Sequence, residues 1–276
     1  MINAVGNRMT REITRQRNIA DQIDRTQTQI STQKKLLRGS DDVAASRRIA
    51  TIGTAQASTE TWARNVRTAE AQVAQADTAL GTTGNLIARA HELTLSAANG
   101  TMNPADRASI AAELSAIADE IDGLAATRDV NGEPLFAASD ARSMRFDADT
   151  SFAPVPSAAD IFVVDGNPVS TALRDAAAAV GSGNGAAIGA SLETLAAGIS
   201  HIADQRATMG LAAGRLERIG DSLSSRSIAL ADERSGLEDT DLSVAIAQLN
   251  AQNLTLEAAQ SAFARINRQT LFDILS

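Results

Sequence analysis

From Leu242 onward the chain sets a large apolar side chain at every seventh position, Leu242, Leu249, Leu256 and Phe263, with no proline and no glycine after Gly236. That is the period of a helix lying along another helix, so residues 237–276 read as a rod in need of a partner. Ile246 and Ile266 widen the stripe, whereas Ala245, Ala259, Gln252, Asn253 and Gln260 dilute it. So dilute a seam pairs weakly alone and strongly in an array. Met9, Ile23, Ile30 and Leu37 repeat the spacing near the other end, with Gln16 the polar exception. Two complementary terminal helices are therefore expected to enclose the rest.

Between them the pattern stays helical for long stretches. Residues 4–37 form the first helix, broken at Arg38-Gly39-Ser40-Asp41-Asp42, where Gly39 suits a left-handed cap and the acidic residues suit the start of the next helix. Residues 43–98 carry Ile49, Ile52, Trp62, Val66, Val73, Leu80, Ile87 and Leu95 at mostly helical spacings. Asn103-Pro104 opens a third helix to about residue 127, with Ile110, Leu114, Ile117, Ile121 and Leu124 on one face. From 129 to 185 the texture changes. Turn dipeptides at Asn131-Gly132 and Asp165-Gly166 flank expected short strands at 143–146 and 161–164, a short helix follows at 171–180, and 181–185 reads as a flexible break. Helix resumes over 186–230 as the antiparallel partner of the 43–98 rod, and Asp239 and Asp241 can cap the last helix.

The expected fold class is mainly α: an elongated antiparallel bundle of long helices with a small β-containing insertion, its N- and C-terminal helices paired as a coiled coil. The expected organisation is an assembly helix over 1–42, a long-helix rod over 43–128 and 186–236, an outer insertion over 129–185, and a second assembly helix over 237–276. Both termini should lie at one end and the insertion at the other.

Composition supports thin bundles over a thick globule. Hydrophobic residues are 44% of the chain but aromatics only 3%, so alanine supplies much of the apolar count and buries little area per residue. A net charge of −8 disfavours nucleic acid and anionic membranes as partners, and no unbroken apolar run nears the ~20 residues that span a bilayer. The N-terminus lacks the pattern of a cleaved signal peptide. Cysteine is absent, which excludes thiolate chemistry.

No catalytic, cofactor-binding or metal-binding residues emerge, and no cofactor is expected. His91 and His201 have no second ligand or nucleophile at helical spacing and read as solvated helix surface. Asp147, Asp149 and the acids at 160–165 lack the ligand alternation of a calcium loop, and 181–185 lacks the lysine of a phosphate loop. The candidate functional residues are instead an assembly interface: Met9, Ile23, Ile30, Leu37, Leu242, Ile246, Leu249, Leu256, Phe263 and Ile266.

Three blocks carry a family resemblance. Ile30-Ser31-Thr32-Gln33-Lys34-Lys35 through Ser46, Glu92-Leu93-Thr94-Leu95-Ser96-Ala97-Ala98-Asn99-Gly100-Thr101, and the last helix ending Leu271-Phe272-Asp273-Ile274-Leu275 resemble bacterial flagellins and hook-associated proteins. The turn at 38–42 and Thr127-Arg128-Asp129-Val130-Asn131-Gly132 look more like the hook-associated members that join hook to filament. A short filament-forming flagellin and a soluble coiled-coil scaffold or signalling protein are the competing readings. The resemblance implies a non-enzymatic axial subunit, exported through the flagellar type III apparatus without a cleaved signal. Its implied partners are copies of itself, the hook protein, a neighbouring hook-associated protein, flagellin and an export chaperone. From the residues themselves comes a further expectation: seams so polar should leave residues 1–37 and 242–276 mobile in the free monomer.

Overall fold

The computed structural model describes the backbone of residues 2–100 and 102–275 and the side chains of residues 9–100 and 102–265. Among these, seven helices and two short ribbons are present: α1 (Ile2–Thr32), α2 (Val43–Ala97), α3 (Pro104–Ala125), β1 (Met144–Arg145), β2 (Ser151–Phe152), α4 (Ala158–Phe162), β3 (Val163–Val164), β4 (Asn167–Pro168), α5 (Val169–Ser182), α6 (Gly185–Glu238) and α7 (Leu242–Leu275). They divide into two compact units. Unit 1 comprises residues 1–57 and 228–276, and unit 2 residues 58–227.

Unit 2 is built on a strict heptad. On α2 the buried positions Thr59, Val66, Val73, Leu80, Ile87 and Thr94 fall seven apart, with Ala69, Ala76, Thr83 and Ala90 buried between them and Ala97 beyond the last. On α6 the series is Leu195, Ile202, Met209, Leu216 and Leu223. Large residues alternate with small ones, so the helices can approach closely; each fully buried aliphatic side chain contributes about 1.5–3 kcal/mol. Ile87 packs beside Gly198 and Val66 beside Gly220, which makes the pair antiparallel, as expected. Buried threonines keep their hydroxyls satisfied within the helix: Thr83 Oγ1 donates to Ala79 O at 2.9 Å and Thr94 Oγ1 to Ala90 O at 2.8 Å. Thr94 therefore takes the seam position, and Leu95, expected there, is exposed. Alanines and glycines between the larger residues also make α6 long and apolar enough to cross a membrane by length and composition, which a search for unbroken apolar runs overlooks.

The insertion packs along α2 and α6 inside unit 2. Asn65 Nδ2 donates to Arg145 O at 2.7 Å, Gln75 Nε2 to Arg128 O at 2.9 Å, and α3 packs on α5 through Leu114, Ile121, Leu173 and Val180. Phe146 is fully buried, 4.6 Å from Phe152 by ring centroids, and Phe136 meets Phe162 edge-on at 5.3 Å. These four phenylalanines concentrate the scarce aromatics where strands are too short to hold themselves together.

Four expectations need correction. Residues 161–162 belong to α4 rather than to a strand, because Ser157 and Asp160 form a reciprocal capping box that starts a helical turn. The strand that follows turns at Asp165 and Gly166, both at positive φ, the geometry of a two-residue hairpin. The stretch 181–185 is no flexible break: Gly183 (φ 69°) caps α5 and Asn184 Oδ1 accepts from the N–H of Ala186 and Ala187 to start α6. Finally, α1 stops at Thr32 because Gln33, at φ 58°, takes the left-handed position expected of Gly39. Helix α6 in turn continues to Glu238, eight residues beyond its expected end.

Candidate assembly interface

Unit 1 pairs α1 with α7. The partners Thr26 and Gln252, and Lys34 and Asp239, run in opposite directions along the two chains, so the pair is antiparallel. Among the described side chains, the protected positions along the seam are Glu12, Gln16, Ile19, Ile23, Thr26 and Ile30 on α1, with Gln29 turned aside to Lys35 O, and Ala245, Leu249, Gln252, Leu256, Ala259 and Phe263 on α7. Both series alternate steps of three and four, the pattern of a two-helix seam.

The seam is sparsely filled. Among the described residues of the seam, only Ile23 (8% exposed), Thr26 (3%) and Ala245 (5%) are buried. Of the expected interface residues, Ile30, Leu249, Leu256 and Phe263 are half-buried on the seam, whereas Met9, Leu242 and Ile246 are exposed. Leu37 lies past the end of α1 and is exposed. Ile266 lies on α7, its side chain outside the described residues. Asn253 and Gln260, expected in the seam, point away from it. Sequence reading missed Ile19 and Thr26, the intermediate positions of the heptad on α1. The three-four alternation would have found them, had threonine been allowed as a seam residue.

Polar groups sit inside this seam. Thr26 Oγ1 lies 2.9 Å from Gln22 O and 3.1 Å from Gln252 Oε1. A hydroxyl has one proton, so it serves one acceptor at a time unless the Gln252 amide turns its NH2 toward Thr26. Gln16 Nε2 is buried with no partner among the described residues.

Beside the seam, the crossing of the chain is clamped. Lys35 N donates to Glu238 O at 2.9 Å, Thr240 N to Gln33 O at 2.9 Å, and Gln29 Nε2 to Lys35 O at 2.9 Å. The Glu238 carboxylate receives Lys34 and, at 2.9 Å, Arg234 Nε. Hydrogen bonds from Lys34 and then Arg234 outweigh partial burial and hold the Glu238 carboxyl below the usual range. Arg48 grips Glu233 with two bonds of 2.5 and 2.8 Å, which likewise lowers the Glu233 carboxyl. Asp42 Oδ1 accepts from Ala45 N to start α2, and Asp241 Oδ1 from Ser243 and Val244 N to start α7, the capping roles expected of both.

The titratable residues elsewhere do structural work. His201 Nε2 sits 2.9 Å from Asp160 O, tying α6 to α4, so its ring is a half-buried strut rather than free surface. Among the described residues no three His, Asp or Glu side chains gather as metal ligands.

This arrangement of long paired helices can be set against known proteins. The N-terminal helical region of bacterial flagellins is matched over residues 3–141, and their C-terminal helical region over residues 192–275. The chain belongs to the bacterial flagellin family. As a family member it is similar to flagellar hook-associated protein 3 of Escherichia coli strain K12, 26% identical over 288 residues, covering 89% of this chain and 90% of that protein. It is 33% identical over 122 residues to flagellar hook-associated protein 3 of Salmonella typhimurium, a match covering 44% of this chain and 38% of that protein. The fold resembles that of a protein from Vibrio parahaemolyticus described as a flagellar hook-associated protein, with a TM-score of 0.67, 17% identity, and coverage of 72% of this chain and all (100%) of that one. In the flagellin-family matches, the two helical regions take in both α1 and α7.

Proposed function

We propose that this flagellin-family chain is a structural subunit of the bacterial flagellum that acts as an adaptor at the hook–filament junction. The observation that carries this reading is the match along nearly the whole length of a hook-associated protein 3, 89% of this chain against 90% of that protein. The seam adds a mechanism. Two long helices that, among their described side chains, bury only Ile23, Thr26 and Ala245 and leave Val244, Ile246 and Leu254 exposed present apolar surface for further helices. Met9, Ile23, Ile30, Leu37, Leu242, Ile246, Leu249, Leu256, Phe263 and Ile266 are the residues we assign to assembly, some within the α1–α7 pair and the exposed ones toward neighbours.

In this reading the chain performs no catalysis and holds no cofactor. It is exported through the flagellar type III route without a cleaved signal, guarded by a chaperone. Outside the cell it contacts copies of itself, the hook protein, a neighbouring hook-associated protein and flagellin. Electron microscopy of the purified protein, with and without isolated hooks, tests the reading. A short cap on hook ends is expected; long homopolymeric filaments would make it a filament-forming flagellin instead.

A further inference from the structure

The β1–β2 hairpin and α6 line a solvent-open surface cleft of about 420 Å³, whose lining includes Asp147, Thr150, Arg215, Arg218, Ser222 and Leu223. Its charge runs against that of the chain. The protein carries −8 overall, yet Arg215 and Arg218 both face this space and neither has a carboxylate partner among the described residues. Arg215 lies over Phe152, 4.0 Å from the ring centroid, which fixes the guanidinium while leaving its N–H groups available. The one acid in the lining is Asp147, whose Oδ1 accepts from Ala148 N at 2.7 Å and lies 3.4 Å from Arg226 Nη1. Arg226 in turn sits over Trp62, 5.6 Å from its centroid. The side-chain hydroxyls of Thr150 and Ser222 add two polar groups without a hydrogen bond among the described residues. Across the lining two guanidinium groups and two hydroxyls stand against a single carboxylate, so the local charge is positive.

We propose that this cleft is an anion-binding site for a carboxylate-bearing group, with Arg215 and Arg218 as its charged donors. The planar guanidinium fork matches a carboxylate edge-on. The carboxylate can come from a free di- or tricarboxylic acid or from the acidic surface of a second copy of this chain. The site lies within unit 2 and is independent of the α1–α7 seam.

Citrate titrated into the full-length protein at constant ionic strength, followed by calorimetry and by the emission of Trp62, tests the proposal. Saturable binding is expected, at least tenfold weaker in Arg215→Gln and in Arg218→Gln, and unchanged in Arg67→Gln on another face of unit 2. Circular dichroism establishes that each variant is folded. Sedimentation without citrate separates the two sources. A dimer dissolved by citrate and lost in Arg218→Gln assigns the carboxylate to a second copy; a monomer that binds citrate assigns it to a free acid. Equal citrate binding by wild type and both variants overturns the proposal, as does a citrate-blind monomer. Inorganic phosphate binding as tightly as citrate overturns the carboxylate assignment.

Discussion

Thr26 and Gln252 meet in the middle of the α1–α7 seam, their side-chain oxygens 3.1 Å apart. A polar pair at this position fixes which residues of the two helices stand opposite each other, since a slip by one heptad parts the two groups and sets Thr26 against Ala245 or Ala259. Replacing Thr26 alone by valine strands the Gln252 amide and should cost about 1–3 kcal/mol in the stability of unit 1. The double variant Thr26→Val/Gln252→Leu should recover most of that loss while pairing less uniquely. Urea unfolding gives the first quantity, and disulfide trapping between introduced cysteines on α1 and α7 gives the second: one register in the wild type, several in the double variant.

Leu249 is half-buried against α1. A carboxylate there has no partner and must be pulled back into water, opening the helix pair. Leu249→Asp should abolish assembly on hooks yet leave the thermal unfolding of unit 2 unchanged. Normal assembly by this variant would remove α7 from the assembly mechanism.

The clamp at Glu238 carries a pH dependence. Because Lys34 and Arg234 hold its carboxyl below the usual range, the folded state binds its proton less readily than the unfolded chain does. Its contribution is complete above the unfolded carboxylate pKa and is lost as pH falls through the lower folded value. Glu238→Gln should therefore flatten the acid limb of the unfolding curve of unit 1 measured between neutral pH and about pH 3.

Gly183 occupies the left-handed region at φ 69°, and a β-carbon there would stand 3.1 Å from Cζ of Arg107. Gly183→Ala should lower the stability of unit 2 by about 1–2 kcal/mol through backbone strain alone, with more if Arg107 cannot move. The midpoint of urea unfolding, read in unit 2, is the check.

Hydrogen exchange should separate the two units in the free monomer. The α2–α6 seam of unit 2 buries a residue at nearly every third or fourth position, whereas α1 buries two described side chains, Ile23 and Thr26. Amides of α1 and α7 should exchange far faster than those between Val73 and Ala90. Equal protection in dilute monomer would contradict an interface that needs neighbours to complete it.

Much of this was readable from residues alone. The heptad Leu242, Leu249, Leu256, Phe263 names one helix and its partner spacing, because the period of side chains around a helix does not depend on what lies opposite. Capping by Asp42, Asn103 and Asp241 was equally legible, since an N-cap acts on N–H groups two or three residues away.

What the tertiary structure decided were the features with no local signature. Threonines at 26, 83 and 94 count as polar in any sequence pattern, yet each sits in a seam because its hydroxyl can bond to the carbonyl four residues back. Helix α1 stops at Thr32 rather than 37 because the segment after it is held by Glu238 and Thr240, more than two hundred residues along the chain. Arg215 and Arg218 read as ordinary helix-surface charges and remain exposed; only folding sets the β1–β2 hairpin beside them, with Phe152 under Arg215. Periodicity and capping are short-range and belong to the sequence; register, helix ends and the cleft depend on groups brought together only by folding.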